Sequence, residues 1–96
     1  MRELKLLKFI DELLLDTICN SIMVCFPEPD NTEVWWIILE DDNFKNNMKF
    51  VDLIEEFISN NDIGIEYFFF DKTQKDSLIN DYGGVNGTIL EVAEKE

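Results

Sequence analysis

The sequence predicts an α/β fold of the α+β kind: a single two-layer domain over residues 1–96, with helices packed on a mixed sheet in the order α-β-β-α-β-(α)-β. Three observations carry that prediction. A chain of 96 residues is long enough for one two-layer core and too short for a second. Apolar residues recur at helical spacing in two long segments, and four shorter runs are continuously apolar or alternating. A long helical segment separates two of those runs, which makes them parallel neighbours, whereas a Pro-containing turn joins an earlier pair as a hairpin.

Residues 3–18 place Leu6, Leu7, Ile10, Leu13, Leu14 and Ile18 on one helical face, with Lys5, Lys8, Glu12 and Asp16 on the other. Ser21 to Phe26 then reads as a strand, and Pro27-Glu28-Pro29-Asp30-Asn31 supplies turn chemistry that neither a helix nor a central strand accepts. Thr32 to Leu39 is apolar on both alternating faces, as in a strand covered on both sides in the middle of a sheet. Glu40-Asp41-Asp42 ends it. Asp42 or Asn43 caps the second helix, where Phe44, Met48, Val51, Ile54 and Ile58 form a stripe widened by Phe50, Leu53 and Phe57. Asn60, Asn61, Asp62 and Gly64 close that helix. Ile63 to Phe70 is the next strand, reached by a right-handed crossover. A short helix containing Leu78 and Ile79 is expected within Lys72 to Asp81, turns at Gly83-Gly84 and Asn86-Gly87, and a final strand over Thr88 to Val92.

The chain carries 21 Asp and Glu against 8 Lys and Arg, a net charge of −13, although 46% of it is apolar. Acidity of this degree is usual in disordered segments, but eight Phe, two Trp and two Tyr supply a core. The charge is spread evenly: ten acidic and four basic residues in 1–48, eleven and four in 49–96. The folded surface itself is therefore acidic. Such a surface favours basic partners and opposes direct contact with nucleic acid or anionic lipid.

Histidine is absent, which excludes imidazole-dependent nucleophile activation. Cys19 and Cys25 have no His or further Cys with which to hold zinc, so they read as free thiols in a reducing cytosol. The opening Met1-Arg2-Glu3-Leu4-Lys5 and the charged residues after it resemble neither a signal peptide nor a membrane span. The expectation is a cytoplasmic protein without cofactor or metal, monomeric or homodimeric.

Three groups of carboxylates are candidates for binding a partner. Asp52, Glu55 and Glu56 stand at i, i+3 and i+4, about 5–6 Å apart between Cβ atoms, a spacing comparable with phosphate repeats. Glu28 and Asp30, with Glu33, crowd the Pro-bounded hairpin, which could protrude as a contact or serve as a rigid turn that blocks edge pairing. Glu40, Asp41 and Asp42 form a corner that could hold a cation, or simply terminate a strand and favour a helix N-terminus. Trp35-Trp36 and Phe68-Phe69-Phe70 read as core, with one of the two Trp a candidate for an exposed interface anchor. Glu33 and Glu66, on neighbouring strands, are the only candidates for paired acid/base carboxylates.

The element order resembles that of minimal nucleotidyltransferase domains of the bacterial antitoxin type. In the alignment this implies, Ile22 to Phe26 is the first strand and Glu33-Val34-Trp35 stands at the metal-binding Asp-x-Asp. Glu66 takes the third acidic position, and Leu78 through Gly87 to Leu90-Glu91 approximates the closing motif. Pro27-Glu28 replaces the Gly-Ser phosphate cradle and Trp35 replaces the second Asp, so the resemblance implies a degenerate domain with residual nucleotide binding, not two-metal catalysis.

In composition, size and lack of catalytic equipment, the chain also resembles anti-CRISPR, toxin-immunity and nuclease-inhibitor proteins that mimic the charge of nucleic acid. That resemblance implies a non-catalytic interaction protein that binds a basic protein, a nuclease or another nucleic-acid-binding effector, at its Arg/Lys-rich site.

Overall fold

The computed structural model describes residues 4–25, 33–80 and 89–94. Three helices pack with a four-stranded mixed sheet in the order α1 (Leu4–Leu15), β1 (Cys19–Cys25), β2 (Glu33–Leu39), α2 (Phe44–Asn61), β3 (Ile65–Asp71), a 3-10 turn (Lys72–Gln74), α3 (Lys75–Leu78) and β4 (Ile89–Glu94). The predicted class and element order are those observed. The hairpin at Pro27 to Asn31 and the turns at Gly83-Gly84 and Asn86-Gly87 lie outside the described residues.

The sheet order is β3-β2-β1-β4. β1 is antiparallel to both β2 and β4, and β2 runs parallel to β3 in an unbroken register from Glu33↔Ile65 to Leu39↔Asp71. The strand that is apolar on both faces is therefore interior. β4 is parallel to β3 at the opposite edge, so the β3-to-β4 return travels against the direction of the β2-α2-β3 crossover. The right-handed rule places such a return on the other face of the sheet. The contact of Lys75 Nζ with Glu94, which pairs with Ser21, agrees with that placement.

One face packs against α1 and α2 through Ile22, Val24, Trp35, Ile37, Leu39 and Ile65. Phe9 of α1 ties the layers together: its ring stacks on Phe57 of α2 at 4.1 Å and lies 6.0 Å from Trp35 of β2. On the distal face Ser21, Met23 and Ile38 are also fully buried. A bulge divides the start of β1 between the two faces: Cys19 pairs with Leu39 on the helix side and Ser21 with Ile38 on the distal side, leaving Asn20 as the extra residue. Cys19 is fully buried, its thiol 3.9 Å from the Ser21 carbonyl.

Both helices bury most of the predicted stripe, with differences at its margins. In α1 the buried residues are Leu6, Phe9, Ile10, Leu13 and Leu14, while Leu7 is exposed. The helix also stops short of Ile18, because the Asp16 carboxylate accepts a bond from the Ile18 amide at 2.9 Å and faces Lys49. In α2, Phe50 and Ile54 are buried and Phe57 and Ile58 pack beside them, but Phe44 is 80% exposed and Met48 and Leu53 also face out. Phe44 is the first residue of the helix, and the buried residues of α2 begin at Phe50.

α2 begins at Asn43, whose Oδ1 accepts from the Asn46 amide at 2.9 Å. It ends at Asp62, which adopts a left-handed conformation (φ 51°) and donates its amide to the Ile58 carbonyl.

Candidate interaction surface

Of the carboxylates singled out from the sequence, Asp52, Glu55 and Glu56 stand together, exposed on α2. Glu55 Oε1 accepts a 2.7 Å hydrogen bond from the Tyr67 hydroxyl, which ties Glu55 to β3. Burial, together with this bond and the negative charge of Glu55, raises the Tyr67 pKa from 10.0 to about 12. Tyr67 is thus a neutral donor at all physiological pH values.

The corner at Glu40 to Asp42 has a different character. Glu40 Oε2 accepts from Asn20 Nδ2 at 2.6 Å and its Oε1 from Lys72 Nζ at 3.2 Å. Asp41 accepts from Asn43 Nδ2 at 2.8 Å, and its carbonyl from Asn46 Nδ2. The Asp42 amide donates to Asp71 Oδ1 at 3.1 Å. These bonds lock the ends of β2 and β3 to the start of α2. Asp71 is the centre of the clamp: its other oxygen accepts from the Thr73 amide and hydroxyl, and these bonds with that from Asp42 lower its pKa. Among the described residues no group of three or more His, Cys, Asp or Glu is arranged to hold a metal ion.

Glu28 and Asp30 lie outside the described residues. The parallel register pairs Glu33 with Ile65 and Glu66 with Val34, which assigns the two Glu positions to opposite faces of the sheet. That placement does not assemble a carboxylate pair from them. Trp35 is fully buried, whereas Trp36 on the distal face is half-buried and meets Phe70 edge-on at 5.8 Å. Phe68, which pairs with Trp36, is 51% exposed.

The acidic surface extends beyond the trio. From Phe50 to Asp71 the sequence contains six acidic residues, Asp52, Glu55, Glu56, Asp62, Glu66 and Asp71, and no Lys or Arg. The lysines on either side, Lys49 and Lys72, bind Asp16 and Glu40, and Lys75 binds Glu94. The window without cations covers α2 from Phe50 onward and the whole of β3. Its exposed apolar members are Leu53 on α2 and Phe68 on β3, and its acidic members include Glu66 on the distal side of the sheet. Phe68 and the Glu66 contribution were missed in the sequence reading, which assigned the Phe run to core; the cation-free window was the signal that could have exposed them.

Two charges at the ends of α2 run against its dipole: Lys45 occupies the first turn, and Asp62 caps the C-terminus, where the dipole favours a cation, whereas Asp41 and Asp42 before the N-cap agree with it. No known protein family matches the chain, and no curated protein or solved structure is similar to it at a significant level.

Proposed function

We propose that this protein is a non-catalytic acidic inhibitor working in the cytoplasm, which docks on a basic, nucleic-acid-handling enzyme and occupies its Arg/Lys-rich nucleic-acid site. The observation that carries this reading is the cation-free acidic window of α2 and β3. Asp52, Glu55 and Glu56 stand exposed along the middle of the helix, Asp62 occupies its left-handed cap, where the dipole disfavours a carboxylate, and no cation of the same window balances them. An arrangement that local stability disfavours is expected where a surface serves recognition.

The mechanism follows from electrostatics. A net charge of −13 steers the domain toward a positive cleft, and the i, i+3, i+4 carboxylates then meet guanidinium or ammonium groups at about the spacing of phosphates. Glu55 enters that contact held in place by Tyr67, which reduces the side-chain entropy lost on binding.

The test is capture of nucleic-acid-handling enzymes on the immobilised protein at low salt, followed by assay of each captured enzyme with and without it. Inhibition should weaken steeply as salt rises. The triple substitution Asp52→Lys, Glu55→Lys and Glu56→Lys should abolish it with an unchanged circular dichroism spectrum. Inhibition that is insensitive to salt, or that survives the triple substitution, would refute the proposed surface.

A further inference from the structure

β3 is an edge strand, and among the described residues nothing pairs with its outer side. Edge strands in monomeric proteins are ordinarily protected by charged side chains, Lys above all, or by Pro, a bulge or brevity. The only such guard on β3 is acidic: Ile65-Glu66-Tyr67-Phe68-Phe69-Phe70-Asp71 contains no Lys or Pro, and its register with β2 runs through seven pairs without a break. On its distal side Glu66, Phe68 and Phe70 stand in a row, with Phe68 at the centre 51% exposed. On its helix side Tyr67 carries Glu55 above it. Asp62 and Glu66 lie at the N-terminal end of this edge with Glu55 over Tyr67, Phe68 and Phe70 follow along it, and Asp71, engaged with Asp42 and Thr73, closes it.

We infer that the outer edge of β3 accepts an extended segment of the basic partner as an added strand, with Lys or Arg beside Glu66 and Glu55 and apolar side chains beside Phe68 and Phe70. Main-chain hydrogen bonds supply affinity in such a pairing, and the cross-strand neighbours select the sequence. Charge decides between this occupant and a second copy of the chain. Two β3 edges side by side would bring together two windows that each hold six carboxylates and no cation, whereas a basic segment neutralises one. The inference rests on the reading that the partner is basic, and it adds the conformation in which the partner is held.

The probe is a peptide of two lysines followed by alternating valine and threonine, prepared in both chain directions. Amide hydrogen exchange supplies the readout, because alternate amides of β3 point away from β2 and exchange freely until a strand is added. Saturating peptide should slow those amides by about tenfold or more. N-methylation of one alternate set of peptide amides should abolish the protection, and methylation of the other set should leave it. Phe68→Lys, a substitution at an exposed position that installs the missing edge guard, should also remove it while preserving circular dichroism.

Peptide binding without protection of β3, or equal tolerance of both methylated sets, would overturn the inference. So would a dimer in sedimentation that Phe68→Lys dissolves, since it would assign the edge to a second copy. Protection of β3 by the peptide without inhibition of any captured enzyme would refute the inhibitory function alone. Inhibition lost in the Asp52, Glu55 and Glu56 triple variant, with β3 unprotected by the peptide, would refute the strand addition alone.

Discussion

Replacing Asn47 with Leu should stabilise this protein, although the change removes a polar side chain from a helix rich in them. Asn47 lies in the first turns of α2, where its amide donates to the Asn43 carbonyl at 2.9 Å. Its side-chain Oδ1 is buried, and among the described residues no donor reaches it. A buried polar atom left unpaired costs about 1–3 kcal/mol, and a side chain of similar volume without the oxygen removes that cost. Leu also has the higher helix propensity, by a few tenths of a kcal/mol. The expected gain is about 1–3 kcal/mol, and in a domain of this size each kcal/mol moves Tm by about 4–8 °C. The neighbouring residue supplies the contrast. Asn46 Nδ2 donates to the Asp41 carbonyl at 2.8 Å, so Asn46→Leu should lose about 0.5–1.5 kcal/mol. Urea unfolding of the two variants, with unchanged m values, gives the comparison directly. A lower midpoint for Asn47→Leu than for the parent would show that the oxygen is paired in solution and refute the reasoning.

Two further outcomes follow from α2 and its surroundings. Tyr67 should ionise at about pH 12 instead of 10.0. In that window the folded chain keeps a proton that the unfolded chain has released, so the Tyr67 contribution is complete below pH 10 and stability falls as pH rises toward 12. The tyrosinate absorbance difference between the parent and Tyr67→Phe isolates this residue from Tyr82, and Glu55→Gln should move the transition back toward 10.0; a transition already there in the parent would deny the bond to Glu55. Asp62→Gly should stabilise by about 1 kcal/mol in thermal unfolding, because glycine adopts the left-handed conformation at φ 51° without a Cβ clash and removes a negative charge from the helix C-terminus. Should the same substitution also weaken partner binding, Asp62 is part of the recognition surface.

The architecture was legible where pattern and physics coincide. Thr32 to Leu39, apolar at every position from Val34 on, could only be an interior strand, and the structure places it between β1 and β3. The 18-residue α2 between β2 and β3 made them parallel. Burial within the helices was less legible. An apolar residue in almost every turn of α2 leaves the rotation of the helix undetermined, and contact with the sheet selects Phe50 and Ile54 while Phe44 remains in solvent. Periodicity likewise could not separate Trp35 from Trp36, since both faces of β2 are apolar. Among the candidate residues, the exposure of Asp52, Glu55 and Glu56 was readable from helical spacing. The bond from Tyr67 to Glu55 spans 12 residues and that from Asn20 to Glu40 spans 20, so neither could be read from local sequence.

By itself the sequence determined the net charge, the succession of elements and the exclusion of histidine chemistry, because these depend on composition and on contacts between near neighbours along the chain. The tertiary structure decided which carboxylates remain available and which edge stands open. Glu40 and Asp41 are committed to intramolecular bonds at the ends of β2 and β3 and Glu55 is held by Tyr67, while Asp52 and Glu56 are exposed on α2 and Glu66 on the distal side of β3. Those distinctions arise from the order in which strands pair, and pairing order is set by the packing of the whole chain and not by any segment of it.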